Sequence, residues 1–219
     1  MRRLYLVRHG RPDVPLGTRL CIGRTDLPLG VLGRMQACRT AMLTETRGAT
    51  AFSSPMQRAQ ETARFFPQPF TILPDLREID CGDWDGLDFE EIRRRWPELY
   101  DARGINPSLP IPNAEPAASV RRRAMGALRE AMRAADGDLL IVAHNFVIRM
   151  LLTEAGTPDV MRLPLPYASV TTLTEEAGAL HAERIGRTPC SPPLRRGSGS
   201  RRTAAPWRGR PCEIGRAHV

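Results

Sequence analysis

The chain contains no lysine: all 32 of its basic residues are arginine. Such uniformity reflects base composition in the coding DNA more than phosphate recognition at every position. The net charge of +8 does not describe a nucleic-acid binder either. Residues 186–219 hold eight arginines against one acid, Glu213, a net +7, and residues 1–185 are left near +1. No apolar run approaches the roughly 18 residues of a membrane-crossing helix. The first apolar stretch is too short, and too soon followed by charge, to be a signal peptide. Neither nucleic acid nor membrane is therefore an expected partner. The five cysteines (Cys21, Cys38, Cys81, Cys190 and Cys212) include no C-x-x-C pair. That spacing suggests neither a zinc site nor a disulfide framework, and fits reduced thiols in a cytoplasmic protein. Histidine is scarce, with four residues at 9, 144, 181 and 218. No internal repeat is present.

At 219 residues the chain has room for one sizeable α/β domain. Short apolar runs at 4–7, 49–54, 70–74 and 138–145 read as strands. Helices are expected over about 31–46, 55–66, 89–99, 117–135 and 146–155. The first should bury Leu32, Met35, Cys38, Met42 and Leu43; Pro55 suits the start of the second, and Pro97 breaks the third. Proline and glycine mark long loops over 11–29 and 104–116. Residues 169–174 and 179–185 read as a terminal hairpin joined by Glu-Glu-Ala-Gly. Strands alternating with helices predict an α/β fold with a mostly parallel sheet covered on both faces, and the hairpin adds an antiparallel edge.

Residues 1–185 are thus one catalytic-domain candidate, and 186–219 are expected to be a disordered basic tail rich in Arg, Pro, Gly and Ser. The last seven residues, EIGRAHV, resemble a translated sequencing adapter. The tail is read as a frameshift or assembly artefact, against the rival of a genuine basic segment that binds acidic surfaces.

Ligands in open α/β sheets sit beyond the carboxyl ends of the strands. Arg8, His9 and Gly10 follow the first strand; His144 and Asn145 follow "LLIVA". Arg58 lies in the first turn after "AFSSP", and Glu78 and Asp80 follow "TILP". Arginine forks match phosphate oxygens. A histidine there can be a nucleophile or a proton shuttle, and a carboxylate near the leaving oxygen a general acid. Taken singly, Arg58 fits a solvated helix face, and Glu78 and Asp80 a solvated loop. Trp84 fits a loop anchor.

Six blocks in order carry a resemblance over residues 3–175: "LYLVRHG", "GRTDLPLGVLGRMQA", "FSSPMQRAQETA", "LREIDCGDWDGLDFEEI", "PNAEP" and "LLIVAHN". Together the chain resembles the histidine phosphatase superfamily, the phosphoglycerate mutase-like proteins. The resemblance implies a three-layer α/β/α fold and no metal or organic cofactor. It implies His9 as the nucleophile of a phosphohistidine intermediate. Arg8, Arg58 and His144 would complete the phosphate pocket, and Glu78 would be the acid and base. Gly10, Gly23 and Asn145 are expected to lend backbone contacts to phosphate.

The chain also departs from the family's wording. Arg11, Pro12 and Asp13 follow RHG, no asparagine precedes position 106, and Asn145 stands where glycine is usual. Thr18 or Gly23 would replace the missing asparagine, and Glu115 keeps an acid in the "NAEP" stretch. The wording is similar to the α-ribazole phosphatase branch. It implies a phosphomonoesterase for a small phosphorylated metabolite. Mutase-type phosphotransfer and a non-catalytic phosphate-ester binder are the alternatives. Specificity is expected in residues 11–22 and 97–117. Oligomeric state, monomer or homodimer, has no sequence signal.

Overall fold

Neighbouring residues of the first strand, β1 (Arg2–Arg8), face opposite ways. Leu4 and Leu6 join one buried cluster, and Tyr5 and Val7 join another. The strand β4 (Leu139–Ala143) does the same, with Leu139, Ile141 and Ala143 on one side and Leu140 and Val142 on the other. Two apolar faces demand two covering layers, which is why both strands read as unbroken apolar runs. The computed structural model describes residues 1–42, 46 and 48–189. The basic tail expected over 186–219 lies outside the described residues from 190 onward.

The remaining strands are β2 (Thr50–Ser53), β3 (Phe70–Ile72), β5 (Val170–Glu176) and β6 (Ala179–Arg187). Sheet order is β3-β2-β4-β1-β5-β6. The first four are mutually parallel, whereas β5 runs antiparallel to β1 and β6 antiparallel to β5. The hairpin closes on Ala177 and Gly178, both at positive φ (51° and 83°). Such a two-residue turn matches the right-handed twist of the strands it joins. β6 runs to Arg187, two residues past the expected domain boundary.

The helices are α1 (Val31–Ala41), α2 (Gln57–Ala63), α3 (Phe89–Arg95), α4 (Pro97–Ile105), α5 (Ala117–Ala134) and α6 (Asn145–Glu154). α5 and α6 cover one face through Val120, Ala124, Leu128, Ile148 and Leu151. α2 helps cover the other through Ala59 and Ala63. Pro97 does not end the helical segment; it occupies the first turn of α4, where its missing N–H costs nothing. Pro55 precedes the Met56 cap of α2 rather than entering the helix.

Helix α1 reverses the expected orientation. Its buried residues are Gly33, Ala37 and Thr40, while Leu32, Met35, Cys38 and Met42 are exposed. Leu43 lies outside the described residues. The cause is backbone proximity: a Cβ on Gly33 would lie 2.0 Å from Arg11 O, and one on Gly10 would lie 2.4 Å from Gly33 O. Only small residues admit that approach. Gly10→Ala is therefore expected to destabilise the fold by about 2 kcal/mol, the scale of overpacking. A lowered urea midpoint at unchanged m-value would show it.

Candidate active site

The sheet register brings the site together. Arg8 stands opposite Ala143 in the β1–β4 pairing, and His9 N–H donates to Ala143 O at 3.0 Å. His9 and His144 therefore leave the sheet side by side, with ring centroids 5.0 Å apart. One strand further, Ser53 pairs with Val142, and Ser54 Oγ meets His144 Nε2 at 2.7 Å. Both histidines are buried, His144 completely.

Nδ1 of His9 is 2.7 Å from Gly10 O, an acceptor only. Nδ1 therefore carries the ring proton, and Nε2 keeps its lone pair. Burial pushes the His9 pKa well below 6.5, and the Arg58 and Arg8 charges push it the same way. His144 is lowered well below that value too, by burial, then by Arg58, His9 and Arg8. Both rings are neutral at ordinary working pH.

Arg58 is completely buried on α2. Its Nη1 donates to Thr25 O (2.8 Å) and its Nη2 to Gly23 O (2.9 Å). Arg8 donates Nη1 to Leu165 O at 2.5 Å and lies over the Tyr167 ring, 4.0 Å from its centroid. Arg8 Nε, Arg58 Nε and His144 Nδ1 are buried polar atoms with no hydrogen-bond partner among the described residues. Buried polar atoms without partners are costly, and Arg8 and Arg58, whose unpartnered Nε–H groups are donors, line one cavity and suit an anion there.

Glu78 is 8% exposed; Oε1 accepts from Ile79 N–H (3.1 Å) and Oε2 from Phe146 N–H (3.3 Å). Burial raises its pKa above the usual 4.5, against the opposing pull of Arg58, the two N–H groups and Arg8. Arg8, His9, Arg58 and Glu78 all line one cavity of about 750 Å³. A neutral nucleophile, two fixed cations and a carboxyl group whose burial favours its protonated form can, in one cleft, transfer a phosphoryl group.

Two expected contacts, those of Gly10 and Gly23, are corrected by the geometry. Gly10 donates its N–H to Thr62 Oγ1 (3.0 Å), and its missing Cβ makes room for helix α1. Gly23 gives its N–H to Asp85 Oδ1 (2.5 Å) and its carbonyl to Arg58, so it holds the arginine rather than offering a donor to an anion. Asn145 lines the cavity, and its side-chain Oδ1 accepts from Arg149 Nε at 2.6 Å. Arg149, anchored on Val160 O and Leu163 O, thus restrains the side chain that would otherwise intrude. Thr18 lines the same cavity, as do other residues of 11–22. None of residues 97–117 does; 103, 107–111 and 114–117 help wall a separate, mostly apolar cavity of about 460 Å³. Asp80 caps Gly82 N–H and pairs with Arg24, and Asp83 accepts from Asn113, so neither carboxylate is committed to the cleft. Trp84 is buried beside Trp96, as expected of a loop anchor.

Three residues of the site escaped the sequence reading. Asp85 accepts from Gly23 N–H, Thr25 N–H and Thr25 Oγ1, fixing the two carbonyls that hold Arg58. Tyr167 packs its ring 5.7 Å from that of His9 as well as against Arg8. Arg123 forms two hydrogen bonds to the Glu115 carboxylate and donates to Asp75 O, Arg77 O and Glu78 O. One guanidinium thereby pins the whole turn that presents Glu78. The signal for Arg123 was available: it occupies the buried stripe of α5, between Val120 and Ala124.

Arg123→Met leaves Glu115 as a largely buried carboxylate without its cation, which costs about 3 kcal/mol. We expect a lower denaturation midpoint, and a kcat loss larger for poor leaving groups than for good ones because Glu78 is misplaced. Equal losses for both would make Arg123 a stability residue only.

The fold agrees with comparisons to known proteins. The family model for the histidine phosphatase superfamily (branch 1) matches residues 4–188. The chain belongs to that superfamily. It is 32% identical to the uncharacterized phosphatase PhoE of Bacillus subtilis over 182 residues, 79% of this chain and 88% of PhoE. It covers only 49% of three mycobacterial relatives, about half their length. The native structure of mycobacterial glucosyl-3-phosphoglycerate phosphatase Rv2419c superposes with a TM-score of 0.75 at 25% identity, covering 85% of this chain and 99% of that one. The phosphoglycerate mutase-like, three-layer arrangement is the one expected of that superfamily.

Proposed function

We propose that this protein is a phosphomonoesterase that hydrolyses a small phosphorylated metabolite through a phosphohistidine on His9. The observation that carries the reading is the buried, neutral His9 with a free Nε2 lone pair, set among buried arginine and histidine nitrogens that have no partner.

In the first step Nε2 attacks phosphorus and the ester P–O bond breaks. The departing alkoxide takes the Glu78 proton. The arginines hold the equatorial oxygens, where charge accumulates. With Ser54 O–H donating to His144 Nε2, Nδ1 of His144 carries a proton and donates as well. In the second step a water attacks phosphorus and gives its proton to the Glu78 carboxylate. The P–N bond breaks, releasing inorganic phosphate and restoring neutral His9.

The pKa directions fix the pH profile. Glu78 must start protonated, so kcat/KM falls as pH rises through its elevated pKa. His9 must be neutral, so activity also falls as pH drops through its depressed pKa. A plateau bounded by these two falls is expected, and a steady-state pH series checks it. Stability follows the same signs. The Glu78 contribution is complete below 4.5 and lost as pH rises through the raised value. The histidine contributions are complete above 6.5 and lost as pH falls through the depressed values.

The test is a panel of phosphomonoesters that includes p-nitrophenyl phosphate and α-ribazole phosphate, with inorganic phosphate as the readout. Stoichiometric phosphate release supports the reading, and the wording of residues 11–29 supports including α-ribazole phosphate. Transfer of the phosphoryl group to a second metabolite, faster than release, would replace hydrolysis by mutase-type phosphotransfer. Tight binding without either reaction would make the protein a phosphate-ester binder.

A further inference from the structure

Beyond the reacting centre the cavity carries two more guanidiniums. Arg11 follows the RHG block directly. Its N–H donates to Gln36 Oε1 at 3.0 Å, and Nη2 donates to Val14 O (3.3 Å) and Pro15 O (2.8 Å), which holds its head in the loop. Arg19 lies over the Phe89 ring, 5.2 Å from its centroid. Both line the cavity that holds His9. Glu78 is the single carboxylate in that lining among the described residues, against Arg8, Arg11, Arg19 and Arg58. Neither Arg11 nor Arg19 forms an ion pair with any described residue, although eight other arginines of the fold do. One phosphate bound between Arg8 and Arg58 leaves the outer two charges uncompensated.

We propose that Arg11 and Arg19 receive a second anionic group of the substrate, so that the preferred phosphomonoester also carries a carboxylate or a second phosphate. The inference rests on the phosphomonoesterase reading of the inner centre. Each guanidinium carries a single positive charge and a fork of N–H donors that either a carboxylate or a phosphate can accept from. Leu20, Ile22 and Phe89 line the same cavity and suit the carbon skeleton between the two anions. Arg11 replaces the acid usual at that position in the family's wording. The change turns a repulsive wall into an attractive one for such a substrate.

The test compares n-butyl phosphate, its terminal carboxylate analogue and its terminal bisphosphate analogue, which have similar leaving groups. The doubly anionic compounds should show kcat/KM at least about tenfold higher at low salt, the scale of one charge-assisted contact. The advantage should shrink as sodium chloride is raised. Arg11→Gln and Arg19→Gln should each lower kcat/KM more for the doubly anionic compounds than for n-butyl phosphate, through KM. Arg19 is exposed, so its variant serves even if the Arg11 variant misfolds. Equal kcat/KM for all three compounds, or a preference that survives in the double variant, would overturn the inference. A preference for the carboxylate alone, or for the bisphosphate alone, identifies which anion the subsite takes. Calorimetric Kd values on His9→Ala keep the two readings apart. Tighter binding of the doubly anionic compounds without wild-type hydrolysis would sink the phosphatase reading and keep this one; equal Kd values would sink this one.

Discussion

His9→Ala is expected to lower kcat for p-nitrophenyl phosphate by on the order of 10,000-fold or more, the scale that follows loss of a covalent nucleophile. No neighbour can replace it. His144 is 5.0 Å away by ring centroid, and its Nε2 is committed to Ser54. The variant should still bind phosphate, because Arg8, Arg58 and His144 keep their own anchors. Loss of kcat with a nearly unchanged Kd for inorganic phosphate separates a missing nucleophile from a collapsed pocket. Added imidazole should restore part of the activity by accepting the phosphoryl group in place of the ring. Retention of more than a tenth of the wild-type kcat would remove His9 from the nucleophile role.

Glu78→Gln has the second-largest effect. The amide is nearly isosteric and can still accept from Ile79 N–H through its oxygen, so the turn pinned by Arg123 should persist. What it loses is the transferable proton. A positioned acid contributes on the order of 100- to 10,000-fold. We expect a kcat loss on the order of 1,000-fold for alkyl phosphates and of about tenfold for p-nitrophenyl phosphate, whose leaving group departs without help. The alkaline fall of the pH profile should also vanish, because it belongs to the raised Glu78 pKa. Equal slowing of good and poor leaving groups would point to a different acid, or to damage in the turn.

The order of strands and helices was legible because each carries a local signal. β1 and β4 are buried on both faces and read as apolar runs; α5 shows four-residue spacing. His9, Arg58, Glu78 and His144 were legible because each follows a strand end. The misread parts share a physical cause. Helix α1 looked amphipathic on its long apolar side chains, yet Gly33 and its neighbours decide its orientation through backbone contact with Gly10 and Arg11. Gly10 and Gly23 looked like phosphate contacts, yet their N–H groups are donated within the protein to Thr62 and Asp85. Hydrogen-bond partners remote in sequence leave no local trace, and the same is true of Tyr167. Arg123 left only the oddity of a charge on a buried stripe.

The most direct measurement is to trap the phosphoenzyme. Mixing the protein with excess phosphomonoester and quenching rapidly in base should leave a species heavier by one phosphoryl group. Its label should be stable in base and lost in acid, should map to the peptide carrying His9, and should be absent from His9→Ala. Turnover without any such species, or a phosphoryl group mapped to the peptide of His144 instead, would contradict the account.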